Sequence, residues 1–166
     1  MSRSSTVTAR RHPAVDRQKS SGPFAVQSET LTIRTSERVE LLDLTDRVTA
    51  LVRGMDIRDG ILNLFSLHTT CTLFINEFQS ALVADIKRLL DELISRDDAW
   101  MHNDPEHSDC DRMNADAHLR AMLFGHSVTL QVSGGEVVLG QWQRILLAEL
   151  DGPRDRTLRL TAMGVQ

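Results

Sequence analysis

An α+β fold of packed antiparallel, sandwich-like β-sheets with about three helices is what this sequence predicts, on three observations. Strand-like segments outnumber helical ones. They do not alternate regularly with helices, as a doubly wound parallel sheet requires. The C-terminal stretch is almost all strand: Ser127 to Val132, Val137 to Leu139, Arg144 to Leu150 and Arg156 to Met163, with Gly134-Gly135 as a hairpin turn.

The elements follow in order. Met1 to Pro23 is rich in Ser, Thr and Arg and too poor in apolar residues to offset its ordering entropy, so it reads as a disordered basic tail. An organellar transit peptide ranks second, because the segment has no amphipathic stripe. From Phe24 to Gln166 the chain reads as one domain. Alternation from Phe24 through Ile33 predicts a strand, and Arg38 to Leu44 a second. Thr45 or Asp46 is placed to cap a short helix carrying Val48, Leu51 and Val52, which Gly54 ends. Gly60 to Leu67 is a strand with Ile61, Asn63, Phe65 and Leu67 on one face and Leu62, Leu64 and Ser66 on the other. Thr72 to Ile75 continues as strand. Gln79 to Ser95 is the longest helix, with Leu82, Ile86, Leu89, Leu90, Leu93 and Ile94 as its apolar stripe. Arg96 to Met113 is a polar loop, long enough to suggest function or motion. Asn114 then caps a helix from Ala115 to Phe124, closed by Gly125.

Composition excludes several classes. No apolar run approaches the roughly 18 residues a membrane span needs. The two cysteines, Cys71 and Cys110, form no CxxC, so free thiols in a reducing, cytoplasmic compartment are expected. The net charge is −4; five basic residues against Asp16 give the tail +4, which leaves −8 on the body. An acidic body argues against nucleic acid as partner.

Four constellations carry possible chemistry. His68, at the end of a buried strand and followed by Thr69 and Thr70, offers a metal ligand or general base beside hydroxyl donors, or equally a core histidine satisfied by a carbonyl. Asn114 and His118 share one side of a helical turn. His102 and His107 lie among Asp104, Glu106, Asp109 and Asp111, without a recognised zinc spacing. Glu149-Leu150-Asp151-Gly152-Pro153-Arg154-Asp155-Arg156 sets Glu149 as a ligand or proton acceptor and Arg154 and Arg156 as a phosphate clamp around a turn. Trp142, within Gly140-Gln141-Trp142-Gln143, suits stacking on a heterocycle or filling core. Cys71 lacks the electropositive setting of a nucleophile and reads as buried.

The order of these motifs carries a resemblance. His68-Thr69-Thr70, Ile75-Asn76-Glu77, Asp85, Trp100-x-His102, Asn114-x-x-x-His118-Leu119, Leu139 to Gln143 and Glu149 to Arg156 resemble the YjbQ family from about Thr30 to Gly164. Cys71 stands where a small residue is common, and Trp100 where tyrosine is expected. The resemblance implies a homotrimer with clefts near subunit interfaces. It implies a site of His68, Thr69 and Glu149 as catalytic residues, with Asn114, Trp142, Gln143, Arg154 and Arg156 binding a phosphorylated small molecule. A divalent ion, zinc or magnesium, would sit at His68, His118 and His102. The implied activity is that of a secondary thiamine-phosphate synthase, joining an aminopyrimidine diphosphate to a thiazole phosphate. A metal-dependent phosphoester hydrolase and a non-catalytic trimeric module binding a phosphorylated metabolite are the alternatives.

Overall fold

The computed structural model describes residues 18–166. Met1 to Arg17, most of the predicted tail, lies outside them. Gln18 to Ser21, also assigned to the tail, lies against the domain: Gln18 Nε2 and Ser20 Oγ donate to Asp59 at 2.9 and 2.5 Å, and Arg58 donates to the Ser21 carbonyl at 3.2 Å.

Two antiparallel sheets form the body. One has five strands in the order β1 (Phe24–Arg34), β8 (Asp155–Val165), β3 (Asp59–Ser66), β5 (Ser127–Ser133) and β6 (Glu136–Val137). The other has three, β2 (Glu40–Asp43), β7 (Arg144–Glu149) and β4 (Cys71–Asn76). The three helices are α1 (Thr45–Arg53), α2 (Ser80–Leu93) and α3 (Ala115–Phe124). The predicted α+β class and its antiparallel sheets are both present. β1 and β8 pair along their whole length, from Phe24 opposite Val165 to Arg34 opposite Asp155.

The strand alternation decides which faces meet. Leu62, Leu64 and Ser66 point inward from β3 and are buried, as the sequence predicts. They join Leu158, Leu160 and Ala162 from β8 and Ile145 and Leu147 from β7 in the core between the sheets, against Val48 and Val52 of α1. The alternate β7 residues Ala148 and, beyond it, Leu150 face a second core with Leu90 of α2 and Ala117 and Ala121 of α3. The three-stranded sheet is therefore covered on both faces, which is why Ile145 to Ala148 is an unbroken apolar run.

The boundaries shift where side chains find other partners. The second strand is shorter than the predicted Arg38 to Leu44, because Arg38 leaves the ladder; its carbonyl accepts from Gly152 N at 3.0 Å. Neither Thr45 nor Asp46 caps α1: Leu44 holds the N-cap position without a side-chain bond, and Asp43 before it accepts from the Thr45 amide at 2.8 Å. In α2 the covered stripe is Val83, Ile86 and Leu90, while Leu89 and Leu93 stay 50% and 60% exposed. Asn114 does not cap α3 with its side chain. Asn103, at the end of a 3-10 turn from Met101, accepts from Ala115 N at 2.9 Å instead.

One ion pair joins the two sheets. Glu149 ends β7 and Arg156 lies near the start of β8; both are almost fully buried. Arg156 Nε donates to Glu149 Oε2 at 2.6 Å, and its Nη2 donates to the other carboxylate oxygen. Thr35, just after β1, also donates to Oε2, at 3.0 Å, while the Leu150 and Asp151 amides donate to Oε1 at 2.8 Å each. Arg156 further reaches Thr70 Oγ1 at 3.0 Å, just before β4. Burial pulls the Arg156 guanidinium down, but the bonds to Glu149 and its charge outweigh it and hold Arg156 above its ordinary value. The connecting loop packs tightly here. A Cβ on Gly152 would collide with the Glu37 carbonyl and lie 2.8 Å from Glu149 Cγ and 2.9 Å from Thr35 Oγ1.

Two outcomes follow from this pin. Glu149→Gln leaves a buried guanidinium without its counter-charge, and urea denaturation should show a loss of roughly 3–5 kcal/mol. The pair Glu149→Leu with Arg156→Met should lose less than that single change, since no buried charge is left unpaired. Gly152→Ala should cost about 1–3 kcal/mol by the same measurement, through overpacking.

Candidate functional site

His68 stands in the bend that follows β3. Ser66 Oγ accepts from the His68 amide at 3.3 Å and sits 3.0 Å from the Cys71 sulfur. The imidazole is fixed by one contact: the Thr157 amide donates to His68 Nε2 at 2.7 Å. A backbone N–H has no alternative role, so Nε2 is the acceptor and the ring proton sits on Nδ1. Burial lowers the His68 pKa, and the Arg156 and Arg154 charges lower it further against Glu149, so the ring is held neutral. His68 therefore offers one N–H and no spare lone pair. General base and metal ligand, the roles expected from the sequence, each need a free lone pair, and in this arrangement the Nε2 lone pair is engaged by Thr157. Thr69 is exposed beside it, whereas Thr70 is buried and bonded to Arg156.

Glu149 and Arg156 lie behind this bend and are spent on each other. Glu149 already accepts from Arg156, Thr35 and two amides, which leaves it neither a ligand nor a proton acceptor for substrate. Arg156, 1% exposed, cannot reach a phosphate. Within this subunit both side chains are buried and turned toward each other, not toward solvent.

The next layer is built on Asp151, itself 1% exposed. Arg38 Nη1 donates to Asp151 Oδ1 at 3.1 Å. Three donors share Oδ2: Arg112 Nε at 2.9 Å, Asn114 Nδ2 at 2.8 Å and Arg154 Nη2 at 3.1 Å. Burial works against the Asp151 charge, but the bonds from Arg112 and Asn114 and the neighbouring guanidiniums hold its carboxyl below the usual range. Arg38 also forks onto Asp116 at 2.9 and 3.2 Å. Asp116 lies 3.8 Å from Arg120, which donates to the Ile94 carbonyl at 2.7 Å and to Asp91 at 2.8 Å.

His118, one turn along α3 from Asn114, borders this cluster. Its pKa is lowered by burial first and by His102 second, against the pull of Asp151 and Asp116. His102 and His118 pack edge to face with ring centres 5.1 Å apart. They line a cavity of about 360 Å³ with Trp100, Met101, Ala115 and Leu119. Trp100 is anchored by its indole N–H, 2.8 Å from the Ser95 carbonyl. A resident divalent ion does not fit these residues. With the His68 lone pair taken, two imidazoles remain, and no group of three or more His, Cys, Asp or Glu side chains among the described residues is arranged to hold a metal.

Asp151 thus gathers Asn114 and Arg154 from the predicted set and lies beside His118, while His68 feels the charge of Arg154. Trp142 and Gln143 are elsewhere. They sit at the opposite end of β7 from Glu149, which is about 17 Å of strand. Trp142 is 61% exposed, and Gln143 Oε1 accepts from Gly140 N at 2.8 Å. His107 pairs with Asp104 at 3.0 Å on the exposed loop. Sequence reasoning missed Arg38, Arg112 and the central role of Asp151. The one available signal was an acidic residue flanked by Gly-Pro and arginines, and it reads first as a turn.

No helix among the described residues is long and apolar enough to cross a membrane. Comparison with known proteins agrees with the family resemblance. Residues 29–165 match the family described as UPF0047 protein YjbQ-like. A UPF0047 protein of Methanothermobacter thermautotrophicus is 45% identical over 139 residues, covering 84% of this chain and 93% of that one. The UPF0047 protein YugU of Bacillus subtilis is 34% identical over 137 residues, covering 82% and 98%. A solved YbjQ-like protein of unknown function from Sulfolobus solfataricus has TM-score 0.79 at 33% identity, covering 85% of this chain and 99% of that one. The chain belongs to the YjbQ-like UPF0047 family.

Proposed function

We propose that this protein is a transferase of the secondary thiamine-phosphate synthase type, displacing pyrophosphate from an aminopyrimidine methyl diphosphate with the ring nitrogen of a thiazole phosphate. The observation that carries this is His68: a neutral imidazole that presents a donor and has its lone pair occupied. In the displacement, the methylene C–O bond breaks, the thiazole nitrogen supplies the electron pair for the new C–N bond, and the product is a thiazolium. That nitrogen has no proton to lose, so the step needs no base. It needs donors on the departing oxyanion, which His68 Nδ1–H and Arg154 supply, and a cleft that aligns the two rings.

The same observation disfavours the phosphoester hydrolase. Hydrolysis needs water activated by a base or a metal ion, and His68 has no lone pair to offer while Glu149 is sealed against Arg156. A non-catalytic module binding a phosphorylated metabolite remains as an outcome of the test below. The assembly proposed is a homotrimer, for which Ile61 and Phe65 on the outer face of the large sheet, 42% and 43% exposed, are available to a second copy. Trp142 and Gln143 contact substrate only if a neighbouring subunit supplies them. Free Cys71 and Cys110 suit a cytoplasmic setting.

Purified protein given both substrates should form thiamine phosphate, with His68→Ala about 100-fold slower. No product from both substrates, with ligand binding intact, would replace the transferase by the binding module. The rate should be flat above pH 6.5 and fall in acid, because protonation puts a hydrogen on Nε2, where it faces the Thr157 amide N–H. For the same reason stability should be full above the unfolded value of 6.5 and decline as pH falls below it toward the lowered folded value, less so in His68→Gln. Sedimentation should give a trimer, and Phe65→Glu should shift it toward monomer.

A further inference from the structure

We propose that Arg38, Arg112 and Arg154 form a preorganised phosphoryl-binding collar, with Asp151 as the template that holds the three guanidiniums together. The collar rests on the transferase assignment above, and it names the side chains that take a substrate's phosphoryl oxygens.

Charge makes the first argument. Arg38, Arg112 and Arg154 share Asp151 and Asp116, and Arg120, paired with Asp91, also lies 3.8 Å from Asp116; four guanidiniums on three carboxylates leave one positive charge over. Behind them Arg156 and Glu149 cancel. The body of the protein is otherwise acidic, so a local cationic surplus stands out against its surroundings and draws anions to this place.

Geometry makes the second. The carboxylates lie underneath and the guanidiniums above: the side chains of Asp151 and Asp116 are each 1% exposed, while those of Arg38, Arg112 and Arg154 are 27%, 50% and 33% exposed. Asp151 accepts four bonds, three on Oδ2 and one on Oδ1, so most of its acceptor capacity is turned toward these donors. The arginines are not saturated. Arg112 commits Nε and one Nη2 bond to Asp151, and Arg154 commits the same two nitrogens, which leaves Nη1 of each with no bond into the cluster. A guanidinium fork matches the spacing of two phosphoryl oxygens, and side chains already fixed by Asp151 lose little entropy on binding.

Setting makes the third. His68 and His118 border the collar and are both held neutral, so they add N–H donors without adding like charge. Arg112 comes from the polar loop before α3, Arg38 from the segment before β2 and Arg154 from the loop before β8. Three distant stretches of chain converge on one buried carboxylate, more than a solvated surface ion pair needs.

The test is calorimetry on the full chain with inorganic pyrophosphate and, separately, inorganic phosphate. Wild type should bind at least one, with affinity falling as salt rises. Pyrophosphate preference assigns the collar to the leaving group, and phosphate preference to the phosphate monoester. Arg112→Gln, a half-exposed site whose fold is checked by circular dichroism, should weaken binding about tenfold or more. Arg112→Lys should recover only part of it. Arg144→Gln, at the far end of β7, should bind as wild type. Failure of wild type to bind either anion, or equal binding by Arg112→Gln, overturns the collar. Binding lost in Arg112→Gln but no thiamine phosphate from wild type keeps the collar and overturns the transferase. Product formation with unchanged binding in Arg112→Gln does the reverse.

Discussion

The ion pair between Glu149 and Arg156 is the constraint on which the site depends. It ties β7 of the small sheet to β8 of the large one, and Thr35 and Thr70 attach the ends of β1 and β4 to the same point. A buried pair of this kind contributes little net stability compared with well-packed apolar side chains. Its value is positional. By accepting from the Leu150 and Asp151 amides, Glu149 sets the direction of the loop that follows it. Asp151 is thereby turned to receive its arginines, and Thr157 is placed to fix His68.

Two carboxylates therefore act in series, one on the chain and one on the side chains. Glu149 orders backbone, and Asp151 orders guanidiniums. Neither faces solvent, yet each sets the direction of groups that do. Preorganisation of donors around a charge that develops during reaction is where enzymes gain most. Here that preorganisation falls to residues that a motif search scores as chemistry in their own right. The proposed displacement suits this economy, since its nucleophile arrives with an electron pair and asks the protein only for donors and alignment.

How much of this the sequence discloses depends on the range of the contact. Periodicity is local, so the buried face of β3 and the bounds of α3 from Ala115 to Phe124 were legible. Motif order was legible too, and it brought Asn114 and Arg154 into one cluster. Choices among similar partners were not. Asn103 and Asn114 both flank the start of α3, and only the fold shows that Asn103 caps it while Asn114 turns to Asp151. Arg154 and Arg156 look equivalent in sequence. Strand alternation buries Arg156 and leaves Arg154 in the loop, where a third of its side chain meets solvent. Arg38 and Arg112 gave no local sign, because their partner is 113 and 39 positions away. Trp142 lies apart for a related reason: its neighbours in the motif are close in sequence, but β7 carries them a strand's length from the cluster.

The pairing of β1 with β8 has a mechanical consequence. The Gln166 amide bonds to the Pro23 carbonyl at 3.0 Å, so the start of β1 and the end of β8 lie side by side at one edge of the large sheet. A force that pulls those ends apart loads the antiparallel ladder as a zipper, one bond at a time from Phe24 and Val165 inward, and not in shear across the whole strand. β8 stays held by β3 on its other side, so β1 is the strand that peels. The peel runs toward Arg34 and ends at Thr35, where the Glu149 pin begins. Tension on the ends thus reaches the site last, after the edge strand has come away.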